Sequence, residues 1–267
     1  MTVAARVGFV GAGRMGLPMV ERMHAAGVDL IVYARRPEAA AALRELGVTT
    51  TDDLGEVGRG RDVVLACVYD DAQFAEIAEP VAASLSDGAI VASHVTGRVQ
   101  TQHALAQRFP TVGFVDAPVS GTADDIRAGR LTVLLGGAPQ DRTRVAEVVR
   151  AYADPVIETG DLGTALSTKL VNNTLLAANA QLLVEAVRLA EGLGITEQSL
   201  VSALSDMSGR SEASAYLTQS GSLTRFADRI GPFLRKDVAV CTEQIESLGL
   251  DTGLLLEVTR RGPLALT

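Results

Sequence analysis

The chain has 267 residues, 47% of them hydrophobic, and a formal net charge of −8 at pH 7. That length holds one large or two modest domains, and the apolar content supports a packed core rather than a disordered chain. The acidic balance argues against nucleic acid or an anionic membrane surface as the main partner. No apolar run is long enough to span a bilayer, and the stretch ahead of Arg6 is too short for a signal sequence, so a cytoplasmic location without a membrane partner is expected. Cys67 and Cys241 have no metal or redox spacing, and His24, His94 and His103 form no cluster, so no metal site is expected.

In chain order, Arg6 to Val10 is a short apolar strand. Gly11-Ala12-Gly13-Arg14-Met15-Gly16 follows as G-x-G-x-x-G, and a helical pattern runs on through Met19, Val20, Met23 and Ala26. Strand, glycine turn and helix form the context in which this pattern binds a dinucleotide. The first glycine makes the turn, the second admits the pyrophosphate, and the third lets helix and strand pack closely. The helix N-terminus adds unpaired N–H groups and a positive dipole end. The plain alternative is a tight βα turn without ligand.

Asp29 to Tyr33 is a second strand, followed by Ala34-Arg35-Arg36-Pro37-Glu38. An acid here would serve the ribose of NAD; two arginines suit a 2′-phosphate in charge and fork geometry. NADP is the expected cofactor, with NAD the alternative; a solvated Arg35-Arg36 loop is the bland reading. Pro37 opens a helix closed by Gly47, and Asp52 or Asp53 caps a short one before Gly58 and Gly60. Asp62 to Val68 is a continuous apolar strand, as a covered parallel sheet requires. The Cys67-Val68-Tyr69-Asp70 loop is expected along the cofactor. Asp71 to Leu85 reads as a helix and Ala89 to Ala92 as a strand, with Ser93-His94-Val95-Thr96 continuing past its end into the ligand region. His94 is expected to be structural. The alternation gives a doubly wound α/β sheet of Rossmann type.

Val112 to Thr122 is a strand leading into a small-residue turn. The Ser120 hydroxyl and the N–H groups of Gly121 and Thr122 are candidates to hold a substrate carboxylate; an ordinary strand-ending turn is the alternative. Leu131 to Gly137 is a strand, Pro139 to Tyr152 a helix, and Val156 to Glu158 the last strand. A long helical pattern then runs from about Thr164 to Leu193. Lys169 and Asn173 lie one turn apart on one face of it, and Asn172 points elsewhere. A lysine in so apolar a helix is a candidate catalytic group, or it snorkels to solvent. The remainder is helical. Thr196 and Ser211 are expected caps, Arg229 to Phe233 a Gly-Pro break bringing Phe233 and Leu234 near the cleft, Lys236 to Leu248 a helix, and Asp251 or Thr252 the start of the last one. The expected domains are residues 1–162, binding the dinucleotide, and residues 163–267, all-α, for substrate and dimerisation.

Four motifs in order are now available: GFVGAGRMG, DAPVSG at Asp116 to Gly121, KLVNN at Lys169 to Asn173, and Lys236-Asp237-Val238. Together they make the chain resemble the β-hydroxyacid dehydrogenase family over nearly its whole length. The resemblance implies that Lys169 is the catalytic lysine, that Asn173 helps hold substrate, and that Ser120 and Gly121 bind its carboxylate. It also implies Thr96 beside the nicotinamide, Val68 in the loop covering the cofactor, Lys236 reaching the cofactor side, and a homodimer or homotetramer. The chain departs from the family pattern at Thr122, at Asp125-Ile126, at Ala165 and in the loop Ser93 to Val99, all around the substrate turn. The implied activity is hydride transfer between nicotinamide and a small β-hydroxy acid or aldehydo-acid, with Lys169 as general acid and base. Burial and neighbouring cations are what loosen a lysine's proton for such work. An imine reductase of the same fold, or an NADP-binding regulator without turnover, are the rival readings.

Overall fold

A computed structural model describes residues 5–251 and 253–266. The chain divides into two compact units, Met1–Lys169 and Leu170–Thr267. In the first, β1 (Arg6–Val10), α1 (Gly16–Ala25), β2 (Asp29–Tyr33), α2 (Pro37–Glu45), β3 (Thr49–Thr51), α3 (Leu54–Gly58), β4 (Val63–Ala66), α4 (Asp71–Ser84), β5 (Ile90–Ser93), α5 (Val99–Arg108) and β6 (Gly113–Asp116) alternate. They are followed by β7 (Val119–Ser120), α6 (Ala123–Arg127), β8 (Leu131–Gly136), α7 (Pro139–Val149) and β9 (Ala153–Gly160). The sheet order is β3-β2-β1-β4-β5-β6-β8-β7, with β9 on β8. From β3 to β6 every pairing is parallel, which is the doubly wound order with its reversal between β1 and β4. β8 runs antiparallel to β6 and β7 and parallel to β9.

The central strands are apolar on both faces because helices cover both. Val7, Phe9, Leu65 and Ile90 pack into one core with Met19 and Met23 of α1. Val10, Val64 and Val91 pack into the other with Phe74 of α4 and Leu105 of α5. Register then does the positioning. Tyr33, Val10, Ala66, Ser93 and Asp116 are successive partners across the sheet. These five strand ends therefore form one row, and the loops that leave them lie side by side.

α8 (Thr164–Gly192) begins at the end of the first unit and continues through the second. The second unit adds α9 (Glu197–Leu204), α10 (Glu212–Ser220), α11 (Leu223–Ser247) and α12 (Gly253–Arg261). Thr196 and Ser211 cap α9 and α10 as expected, Ser211 in a reciprocal box with Ser214. Asp251 accepts the Gly253 N–H at the start of α12 at 3.0 Å; Thr252, the other expected start, lies outside the described residues. The expected Gly-Pro break is absent: α11 runs through Pro232. Phe226, Ile230, Leu234 and Val238 recur every fourth residue, all buried in the core of this unit. Their packing outweighs the one backbone bond a proline removes. Leu234 is thereby a core residue.

Candidate active site

At the glycine turn the three glycines have three separate physical reasons. Gly11 has φ +101°, and a Cβ there would lie 2.2 Å from the Cys67 carbonyl oxygen. A Cβ on Gly16 would lie 2.0 Å from the Gly11 carbonyl oxygen and 3.0 Å from the Phe9 ring. A Cβ on Gly13 would meet nothing within 4 Å. Fold packing accounts for Gly11 and Gly16 but leaves Gly13 unexplained, and an approaching ligand explains it. No side chain caps the α1 N-terminus and no acid lies in its first turn. This is the donor set a pyrophosphate needs. Ala12, Arg14 and Met15 complete the turn, with Arg14 exposed.

Beside it, Arg35 and Arg36 follow β2, both exposed, and neither makes an ion pair with another described residue. On the other side Val68 follows β4, half-buried, packed against the α4 core. Asp70 accepts the Gln73 N–H at 2.9 Å, capping α4. Thr96, also half-buried, lies in the loop after β5. Asp71 organises that loop: its carboxylate accepts from the Arg98 N–H at 3.0 Å and from the Thr101 hydroxyl at 2.6 Å. Asp71 carried no signal in the sequence beyond its place in a helical stretch.

The substrate turn differs from expectation. Val119 and Ser120 form the edge strand β7, paired with Val133 and Thr132 of β8. Ser120 and Gly121 remain exposed. The Thr122 N–H, expected to serve a substrate anion, donates instead to the Asp125 carboxylate at 2.9 Å, and its hydroxyl donates to the same oxygen at 2.7 Å. Thr122 is the N-cap of α6, in a reciprocal box with Asp125. The chain's own carboxylate has taken that donor. Hydrogen bonds from Thr122, with help from Arg130, hold the Asp125 carboxyl below its ordinary range. Of the three residues expected to hold an anion, Ser120 and Gly121 remain as candidates.

On α8, Lys169 is 9% exposed and Asn173 3%. The Asn173 amide is oriented from both ends: its Nδ2 donates to Asp237 at 2.5 Å and its Oδ1 accepts from Asn172 at 3.0 Å. Lys236 pairs with the same Asp237 at 3.2 Å. The motif around Lys236 thus meets the KLVNN motif through a buried carboxylate. Asp237 is the residue the sequence reading left without a role. Asn172, expected to point elsewhere, is part of the cluster through the Asn173 side chain.

His94 is structural in its bonding. Its Nδ1–H donates to the Ala117 carbonyl at 2.6 Å, which leaves Nε2 to accept from the Tyr152 hydroxyl at 2.7 Å. Complete burial brings its pKa down to about 4. Burial also pushes the Cys67 thiol up to about 12, so it stays protonated and unreactive. Among the described residues no group of His, Cys, Asp or Glu could hold a metal, and no helix is long and apolar enough to cross a membrane.

Comparison with known proteins agrees with this geometry. Residues 6–160 match the NAD binding domain of 6-phosphogluconate dehydrogenase, and residues 163–261 match the NAD-binding domain of NADP-dependent 3-hydroxyisobutyrate dehydrogenase. The chain belongs to the β-hydroxyacid dehydrogenase family. It is an NAD(P)-binding oxidoreductase of the 3-hydroxyacid dehydrogenase fold. It is 27% identical to an uncharacterized oxidoreductase of Shewanella frigidimarina over 92% of this chain and 87% of that protein. It is 29% identical to the mitochondrial 3-hydroxyisobutyrate dehydrogenase of Mus musculus over 76% of this chain, which spans 62% of the mouse protein. The fold is that of a Mycobacterium tuberculosis 3-hydroxyisobutyrate dehydrogenase with L-serine (TM-score 0.84, 22% identity, 97% of this chain and 92% of that one). An imine reductase from Pseudomonas sp. shares the fold (TM-score 0.65, 21% identity, 97% and 93%).

Proposed function

We propose that this family member transfers a hydride between NADPH and a small carboxylate-bearing carbonyl compound, with Lys169 as general acid and base. The observation that carries the reading is the row of strand ends, which sets the glycine turn beside Arg35 and Arg36 and continues through the Val68 and Thr96 loops. The Gly11–Gly16 turn and the α1 N-terminus take the pyrophosphate. Arg35 and Arg36 take the 2′-phosphate, and Val68, Thr96 and Lys236 serve the rest of the dinucleotide. The bound nicotinamide supplies or accepts the hydride. Ser120 and the Gly121 N–H fix the substrate carboxylate, which limits the reaction to one orientation. The Lys169 ammonium donates a proton to the carbonyl oxygen, and its amine takes the proton back from the alcohol in the reverse direction. Asn173, held by Asp237, offers the substrate neutral hydrogen bonds.

We also propose a homodimer or homotetramer. Val171, Leu175, Leu182 and Leu189 on α8 are each more than half exposed, and their spacing of four and seven keeps them on one helix face. A monomeric mass by light scattering at working concentration counts against this.

The deciding experiment follows NADPH and NADH consumption with a panel of small aldehydo- and keto-acids and with cyclic imines. Turnover of the acids is expected, with Lys169→Ala losing several orders of magnitude, on the scale that removing a general acid–base commonly costs or above it, while still binding NADPH. A near-wild-type rate in that variant overturns the mechanism. Turnover of imines alone points to the imine reductase reading, and binding without any turnover to a regulator.

A further inference from the structure

A helix leaves the N–H groups of its first turn without partners of its own. In α8, the helix that carries Lys169, two amides at this end are served from far away in sequence. The Gly163 N–H donates to Asp116 Oδ1 at 2.8 Å and the Leu166 N–H to Asp116 Oδ2 at 2.7 Å. Asp116 is fully buried at the end of β6, in the same row as Val10, Ala66 and Ser93. The approach is close enough that a residue without a Cβ is needed beside the carboxylate, and a second is needed where the helix begins. A Cβ on Gly136 would lie 2.4 Å from Asp116 Oδ1, and one on Gly163, where φ is +93°, would lie 2.5 Å from a Val99 methyl. Neither is compatible with ordinary contact distances: the bare backbone at Gly136 makes room for the carboxylate, and that at Gly163 lets the start of the helix lie against Val99 of α5.

Helical side chains lean toward the N-terminus, so a residue covers the turn before its own Cα. Lys169 is three residues beyond Leu166, and the turn that its side chain covers is the one Asp116 holds. We infer that Asp116 is a positioning residue of the reaction: it registers the Lys169-bearing helix against the row of strand ends whose loops receive the dinucleotide. The inference rests on the functional reading above and assigns Asp116 no contact with substrate. Its two oxygens are both used, one per amide, so it fixes the helix in translation and in rotation about its own axis. A neutral amide in its place has one acceptor only and presents an N–H to the other amide.

The test compares the full-length wild type with Asp116→Asn, using the acid that the panel identifies. The expected result is a tenfold to hundredfold fall in kcat, the scale on which a small misplacement of a reacting group acts. KM for the acid and the Kd for NADPH, read by fluorescence titration, stay within about twofold to threefold of wild type. A loss of fold integrity alone would lower the active fraction and the cofactor-binding fraction together, and does not produce this split. A kcat within twofold of wild type overturns the inference, as does a loss of NADPH affinity that matches the loss of kcat. Hydrogen exchange in the wild type is the second readout, independent of turnover and of whether the variant folds. The Gly163 and Leu166 amides are expected to exchange slowly despite lying in a first helical turn, and fast exchange there also overturns it. A wild type inactive on every substrate rejects the functional reading instead, which separates that failure from a wild type and variant that are equally active.

Discussion

His94 makes folding stability depend on pH in a way that can be worked from the structure. Its ordinary pKa of 6.5 falls to about 4 in the fold because burial disfavours the imidazolium, only partly offset by the bond to the Ala117 carbonyl. The unfolded chain takes up a proton near pH 6.5, whereas the folded chain resists until about pH 4. Protonation therefore favours unfolding over that interval. Above pH 7 His94 contributes no penalty; the penalty grows as pH falls from about 6.5 and levels off below about 4. At about 1.4 kcal/mol per pKa unit the full effect is about 3 kcal/mol, of which about 2 kcal/mol is present at pH 5. That is a large part of the stability of an ordinary domain. Asp116 acts with the opposite sign, since burial raises its pKa and the folded form protonates first. The assay must therefore isolate the histidine. Urea unfolding of wild type and His94→Gln at pH 8 and pH 5 does so, because the difference between the two pH dependences cancels every other group. The variant is less stable at pH 8, having lost the bonds to Ala117 and Tyr152, but its stability falls less on going to pH 5, by about 2 kcal/mol. Parallel curves for the two proteins would refute the assignment of a buried, neutral imidazole.

The glycine turn gives a contrast between two substitutions, in which the larger side chain is the one the fold tolerates. Gly13→Val should leave Tm nearly unchanged and weaken NADPH binding at least tenfold in a fluorescence titration, because the space beside Gly13 is open in the protein and needed by the ligand. Gly16→Ala should lower Tm by several degrees, since its methyl would overlap the Gly11 carbonyl. The reverse pattern would contradict the division of labour described for the turn. For Arg35 and Arg36, the double alanine variant should lose about tenfold to a hundredfold of kcat/KM with NADPH, the value of hydrogen bonds to a charged group, and change little with NADH. Equal losses with both cofactors would mean that the arginines do not read the 2′-phosphate.

The architecture was legible where a local pattern and a local cause coincide. The strand ending at Val10, the glycine turn and the helix behind it are contiguous, and so are the caps at Thr196 and Ser211. The strand Thr49–Thr51 was not legible, because three threonines at a sheet edge carry no hydrophobic alternation. Pro232 misled for the opposite reason: the local rule was right about the lost bond, but the core contacts of Phe226, Ile230, Leu234 and Val238 come from other helices and are invisible in the segment itself.

The site divides along the same line. Ser120, Lys169 and Asn173 announce themselves as polar residues in motifs, but the residues that hold such groups in position do so across distances the sequence does not display. Asp237 orients Asn173 over a separation of 64 residues, and Asp116 reaches the start of α8 over separations of 47 and 50. Thr122 is the converse, since its N–H was free in the sequence pattern and is used by Asp125 three residues on. A buried carboxylate must be compensated: side chains of Asn173 and Lys236 do so for Asp237, whereas for Asp116 the donors are backbone N–H groups, which have no sequence identity. The supporting half of this site is therefore recovered only by asking of each buried acid which donors it serves, because neither those donors nor their distance along the chain is marked in the local pattern.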